Sequence, residues 1–320
     1  MIQHNRRDTE QQPALWCGLD IGGTKIELAM FDADFGELFR HRIDTPRDRY
    51  ETFVAAVAGL VESGERELGR PASAVGIGLP GRCDRQSGLQ HCSSLPALSQ
   101  RPLVADLGRR LARPLALAND CQCFALSEAN GGAGAGVASM LGVILGTGAS
   151  GCHCVDGKVV NGYNGLVSEW GHWSIPASLL ERHALPLLDC ACGLRGCLER
   201  YVSGSGLAQL HRLLGGHAVD AGDVLARAQA GDALAQRTCA IHLDLLGQAM
   251  ATLVLGFDPH VIVLGGGLSR HAALYAQLPA ATAAHLFSGV RVPPIVPARF
   301  GDAGGARGAA LLARQHHAGG

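Results

Sequence analysis

The chain has 320 residues, enough for two domains with separate cores, and its 47% apolar and 17% charged residues exclude a disordered or fibrous protein. A formal net charge of -1 leaves no global positive field for nucleic acid or an acidic membrane, so neither partner is expected. No apolar run reaches the roughly 18 residues of a membrane span.

The opening, "MIQHNRRDTEQQPA", is polar and lacks the apolar stretch of a secretory signal; residues 1–13 read as a disordered tail on a cytoplasmic chain. "ALWCGLDIGGTKIELAMFD" then reads as strand, glycine turn, strand, with Gly22-Gly23 at the turn. "RYETFVAAVAGLVESGERELG" has helical spacing, "AVGIGLPG" is a short buried strand stopped by Pro80-Gly81, and "PLVADLGRRLA" is helical. "RPLALA" is a strand ending at Asn119-Asp120, and "CQCFALSEA" continues from it as a helix. "NGGAGAGVAS" breaks the pattern as a hinge. "MLGVILGTGASGCHCVDGKVV" repeats the opening theme, with an Asp-Gly hairpin at Asp156-Gly157, so each half begins with a similar unit and the chain reads as a duplication. Mostly helical sequence leads to "DPHVIVLGGGLS", a buried strand opening onto Gly265, Gly266 and Gly267, and "GDAGGARGAALLARQ" closes the chain as a helix. The pattern is that of an α/β protein with several glycine-rich strand ends facing one ligand.

Glycines after strands let the backbone approach an anion and present N–H donors to it. Three such turns, at 22–23, 146–151 and 265–267, favour a nucleotide. The G-x-x-x-x-G-K-[ST] loop is absent. "GTGASG" matches G-x-G-x-x-G, with Glu169 downstream, but the dinucleotide fingerprint must open a helix and "CHCVDGKVV" predicts a hairpin. Phosphates are therefore expected between two β-turns. In the first turn Asp20 suits a Mg²⁺ ion held through water, Thr24 a phosphate oxygen, and Lys25 either added charge or an ordinary exposed site. Asp120, at a strand end and a helix start, reads either as a cap or as the general base for phosphoryl transfer.

Of the 11 cysteines, three CxC pairs stand out: Cys121/Cys123, Cys152/Cys154 and Cys190/Cys192. Only the last has a third thiol nearby, in "CACGLRGC", and in a reducing compartment such clusters are metal ligands more often than disulfides. Three thiols leave a tetrahedral ion one ligand short, and any of 14 histidines is a candidate.

Together, "LDIGGTKI" (19–26), "GIGLPG" (76–81), "LANDCQCFALSEA" (117–129), "LGTG" (145–148), "EWGH" (169–172), "CACGLRGCLE" (190–199) and the tail "VIVLGGGLS…GDAGGARGAA" resemble the ROK family of bacterial sugar kinases and repressors. "TPRD", "CFALSEA" and "GDAGGARGAA" are most similar to its N-acetyl-D-glucosamine kinases, and its fructokinases share several stretches. The resemblance implies an actin-like, ribonuclease H-like two-lobed ATPase fold: a small lobe over 14–132 joined by a C-terminal helix at 303–316, and a larger lobe over 133–302. It implies transfer of the ATP γ-phosphoryl group to the 6-hydroxyl of N-acetyl-D-glucosamine, with fructose or glucose as alternative acceptors or a non-catalytic sugar-sensing role as a further alternative, and a homodimer. Asp120 matches the family's base. Gly81, Asn119, Asp120, Glu169, His172 and Glu199 match sugar-contacting positions. Gly18, Leu19, Asp20, Ile21, Gly22, Gly23, Thr24 and Lys25, with Gly146, Thr147 and Gly148, match phosphate-binding segments, and Gly265 to Gly267 lie where the adenosine end binds. His172 matches the fourth ligand of a structural zinc ion held by Cys190, Cys192 and Cys197. Ser150, Cys152 and His153 depart from a loop usually richer in glycine, Ser168 replaces a common glycine, and Cys121 a common alanine. The stretch before Cys17 is too short for the DNA-binding domain of the family's repressors, so an enzyme is expected.

Overall fold

The computed structural model describes residues 13–92, 94–166, 168–301 and 304–318. Residues 1–12 of the expected tail, and Asp302 and Ala303 at the expected start of the last helix, lie outside the described residues. The first half runs β1 (Trp16–Ile21), β2 (Lys25–Phe31), β3 (Glu37–Asp44), α1 (Tyr50–Glu67), β4 (Ala74–Leu79), a small hairpin of β5 (Arg82–Cys83) and β6 (Gln90–His91), α2 (Leu103–Leu111), β7 (Leu115–Asn119) and α3 (Asp120–Ala129). The second half runs β8 (Ser139–Leu145), β9 (Ala149–Val155) and β10 (Lys158–Val159), then α4 (Ala177–His183), α5 (Glu199–Val202), α6 (Gly204–Leu213), α7 (Ala221–Gln229) and α8 (Ala233–Phe257). It ends with β11 (Val261–Gly265), α9 (Ala272–Ala283), β12 (Ile295–Pro297) and α10 (Gly304–Ala318).

The two five-stranded sheets have equivalent orders, β3-β2-β1-β4-β7 and β10-β9-β8-β11-β12. In each, the first three strands are an antiparallel meander and the last two run parallel to the first. The duplication read from the sequence is thus present strand for strand. β3 was not apparent in the sequence because this edge strand is largely exposed and charged; Arg40 and Arg42 reach back to the buried Glu27.

The helix that closes each half crosses to the other half's sheet. α10 covers one face of the first sheet, packing Ala306, Ala310 and Ala313 on Trp16, Ala29 and Ala74, while α1 and α2 cover the opposite face. α3 covers the second sheet, with Phe124 and Ala125 on Met140, Cys152 and Val263, opposite a larger core built on α8. Close approach demands glycine: a methyl group on Gly18 of β1 would overlap Ala306 O, and one on Gly76 of β4 would overlap Ala309 O. α8 has the length and hydropathy of a membrane span, yet it is a core helix, with Leu245, Leu246, Met250 and Leu253 fully buried.

Candidate active site

Asp120 is the first residue of α3. Asn119 caps the helix by accepting the Cys121 N–H at 2.9 Å, and Gln122 closes the capping box by accepting the Asn119 N–H at 2.7 Å. With the helix end satisfied by its neighbours, Asp120 is left to project into a cleft between the two sheets. Its carboxylate accepts a local backbone bond from Cys121 N at 2.8 Å. Its surface is open to that cleft, but surrounding protein strips it of water and pushes its carboxyl above the ordinary aspartate range, against the opposing N–H donors.

The cleft has a volume of about 1030 Å³. Asp20, Gly22 and Gly23 line it from the first half, Gly265, Gly266 and Arg270 from the second, and Asp120 lies between them. The first turn is fixed by Gly22 N donating to Lys25 O at 2.9 Å and by the Thr45 hydroxyl donating to Gly22 O at 2.8 Å. Gly266 has φ +82°, and a methyl there would sit 2.6 Å from the carbonyl carbon of Leu145, so the second and third glycine turns abut. Gly146, Thr147 and Gly267 line an adjoining pocket of about 610 Å³ with Gly204, Ser205, Asp220 and Gly222.

The predicted phosphate segment separates into two parts. Asp20 through Gly23 reach the cleft at the end of β1; Gly18 and Leu19 lie further back in the strand, Gly18 against α10 and Leu19 fully buried, and do not line it. Lys25 begins β2 opposite Asp44, and Thr24 O accepts the Thr45 N–H at 2.9 Å; neither residue lines the cleft. Sequence reasoning missed Gly204, Ser205, Asp220 and Gly222, which follow no strand, and Ser94, Arg270 and Tyr275, which belong to no glycine turn.

Gly81 adopts φ +89° against the backbone of His91, and its carbonyl accepts from Asn119 Nδ2 at 3.0 Å. These two residues line a hollow of about 210 Å³ beside the cleft, with Arg82, Arg85 and Asn161. Glu169 immediately precedes a tight turn over Trp170–His172. Burial raises its carboxyl; Asp120 and Glu199 raise it further and His172 opposes them, so these four groups face one another across a small space. Ser168, before Glu169, has φ +47°, the left-handed conformation in which glycine carries no penalty.

The ligand atoms of His172, Cys190, Cys192 and Cys197 all lie within 4.8 Å of one another. Cys192 and Cys197 Sγ are 3.6 Å apart, and Cys190 Sγ is 3.8 Å from His172 Nδ1. A tetrahedron with metal–sulfur bonds of about 2.3 Å has edges of about 3.8 Å, so the set fits a divalent ion. All eleven cysteines are free thiols. The cysteine loop turns at Gly193 (φ +90°) and Gly196 (φ +75°), and Leu198 N donates to Trp173 O at 2.9 Å. That bond brings the His172 segment to the thiols from far along the chain. Burial pushes the Cys197 thiol up to about 12, while the Leu194 N–H pulls Cys192 down. A cation at the centre is what would make three thiolates tenable together. Glu199 Oε1 accepts from Cys190 Sγ at 3.3 Å and is 3.8 Å from His172 Nδ1, and its other oxygen approaches Gly148, so cluster, acids and second glycine turn form one unit.

The ROK family profile matches residues 16–316. The chain belongs to the ROK family. It is 47% identical over 298 residues to the N-acetylgalactosamine kinase AgaK of Shewanella sp. (strain ANA-3), covering 93% of this chain and 96% of that one. It is 39% identical over 298 residues to the N-acetyl-D-glucosamine kinase of Mannheimia succiniciproducens, covering 92% and 98%. Among solved structures, the ROK hexokinase from Thermus thermophilus superposes with a TM-score of 0.87 at 33% identity, over 96% of this chain and all of that one. The ROK family glucokinase from Streptomyces griseus, in complex with glucose and AMPPNP, gives 0.75 at 28% identity, over 94% and 100%. The two-lobed actin-like fold expected from the sequence is the fold found.

Proposed function

We propose that the protein transfers the γ-phosphoryl group of ATP to the 6-hydroxyl of an N-acetylhexosamine, N-acetyl-D-glucosamine first. The observation that carries this reading is Asp120, set at a helix N-terminus in a cleft whose two walls are glycine turns. The sugar lies against Asn119, Glu169, His172 and Glu199, whose acceptors and donors match a ring of hydroxyl groups, with the Gly81 turn beside them. Asp120 accepts the proton of the 6-hydroxyl and aims its oxygen along the line of transfer. A carboxyl pushed upward by burial binds that proton more firmly than an exposed aspartate. Backbone N–H groups at Gly22–Gly23 and Gly146–Gly148 hold phosphate oxygens, and Gly265 to Gly267 border the adenosine end.

Two ions belong to this reading. Asp20 would hold Mg²⁺ through water, and the ion would supply neutralisation of phosphate charge. His172, Cys190, Cys192 and Cys197 would hold a structural zinc ion, which would leave His172 Nε2 to face a sugar hydroxyl. The enzyme is read as a cytoplasmic homodimer, which sedimentation at two concentrations tests.

A second acceptor, N-acetyl-D-galactosamine, is favoured by the 47% identity to a kinase named for it. The deciding experiment is a coupled MgATP assay against both sugars, N-acetylmannosamine, glucose, mannose and fructose, with NMR of the product. Phosphorus coupling to the C6 protons is expected. Turnover of fructose alone, or phosphate on another hydroxyl, would sink the assignment.

A further inference from the structure

The transfer just described brings a polyanionic nucleotide into a cleft already lined by two carboxylates, Asp20 and Asp120. Cationic side chains would complement the Mg²⁺ of that reading, and Lys25, the cation of the glycine-turn motif, is not among the residues lining the cleft. The segment after β3 offers a replacement. Thr45 is buried and doubly bonded to the first glycine turn, through its hydroxyl to Gly22 O at 2.8 Å and its N–H to Thr24 O at 2.9 Å. Pro46 follows and restricts the backbone. The chain is thereby fixed so that Arg47 Nη2 comes within 3.8 Å of where a Gly23 methyl would stand. The other neighbour of that point is Ser94 O at 3.9 Å, and Ser94 lines the cleft. Arg47 therefore sits at the rim of the cleft, over the turn that receives phosphate. From the opposite wall, the short turn Gly267–Arg270 carries Arg270 into the cleft immediately after the third glycine turn. Among the described residues lining the cleft, Arg270 is the only basic one.

We propose that Arg47 and Arg270, one from each half of the chain, bind the β- and γ-phosphates of the nucleotide and draw the two lobes together on it. This rests on the kinase reading and adds to it the side chains that recognise the nucleotide's charge. Guanidinium groups suit the task because they present planar, paired donors to phosphate oxygens and stay charged throughout. Both side chains are exposed, so their removal leaves the cores intact.

The test is calorimetric titration of the full chain with ADP and AMP, alongside steady-state kinetics. Arg47→Ala and Arg270→Ala are each expected to weaken ADP about tenfold while changing AMP less than threefold. The KM for ATP rises in parallel, and the KM for the sugar stays within twofold. Arg47→Lys recovers part of the loss. Arg66→Ala, which removes the same charge from the exposed end of α1, leaves ADP binding unchanged. Undiminished ADP affinity in both cleft variants, or equal losses for ADP and AMP, overturns the assignment while leaving the kinase reading standing. A wild-type chain that binds no ADP overturns both.

Discussion

Between β3 and β4 the first half of the chain inserts only α1, whereas between the matching strands β10 and β11 the second half inserts residues 160–260. That longer insertion carries Glu169, His172, Glu199, the three clustered cysteines and the Gly204–Asp220 wall of the pocket adjoining the cleft. The shared strands supply a frame with glycine turns facing a cleft, and the first half adds Asp120, the proposed base, directly after its last strand. The groups that would choose a sugar come mostly from the part that has no counterpart. On the proposed reading, the duplicated frame supplies the phosphate-facing glycine turns, and the insertion supplies the sugar-facing acids and one wall of the adjoining pocket.

Substitutions on either side of that division sharpen it. Asp120→Asn keeps the cap geometry and is expected to lower kcat by about 100-fold or more, with sugar KM within threefold, since a positioned base contributes about 10²–10⁴. Unchanged turnover would remove the frame's one chemical group from the mechanism. Cys192→Ser comes next. Metal analysis is expected to find one zinc per wild-type chain and a substoichiometric amount in the variant, with kcat/KM for the sugar falling about 10–100-fold. An equal fall in ADP affinity would contradict the division of labour.

Third, the frame itself is tested by Gly76→Ala, whose methyl would overlap Ala309 O of α10, at a cost of about 3 kcal/mol in chemical unfolding. Gly59→Ala, in the interior of α1 with nothing near the added methyl, is expected to gain about 0.5–1 kcal/mol. The smallest effect at neutral pH belongs to His242 of α8. It is buried, with Nε2 2.9 Å from Val202 O, and burial lowers it from 6.5 to about 4. The unfolded chain therefore takes up this proton near pH 6.5 and the folded chain only near 4. Its contribution is intact above that window and is lost as pH falls through it, by about 3 kcal/mol in total. His242→Gln should flatten this part of the stability–pH profile; an unaltered acid limb would contradict it.

What could be read beforehand followed the range of the interactions involved. Asp120 was legible because a strand end, a cap and a helix start are written in adjacent residues. The repeat was legible because two similar strand–turn–strand units recur. The fourth member of the Cys/His cluster was not, on residue grounds alone. His172 meets the thiols through a backbone bond between Trp173 and Leu198, and no local pattern encodes that pairing. Gly18 and Leu19 belong to the same contiguous motif, but they lie back in the strand and do not line the cleft, a distinction that no residue spacing encodes. Arg47 went unnoticed for the opposite reason: its motif, "TPRD", was visible, but only the Thr45 bonds reveal that it lies over Gly23.

The exchange of closing helices also bears on how the molecule is made. β1 through β7 leave the ribosome long before α10, and the sheet face that Ala306, Ala310 and Ala313 will cover stays open in the interval. The nascent first lobe must wait, one side bare, for the chain's own final helix to arrive. Premature termination anywhere in the second lobe would strand a finished sheet without its lining, a natural substrate for chaperones and proteases.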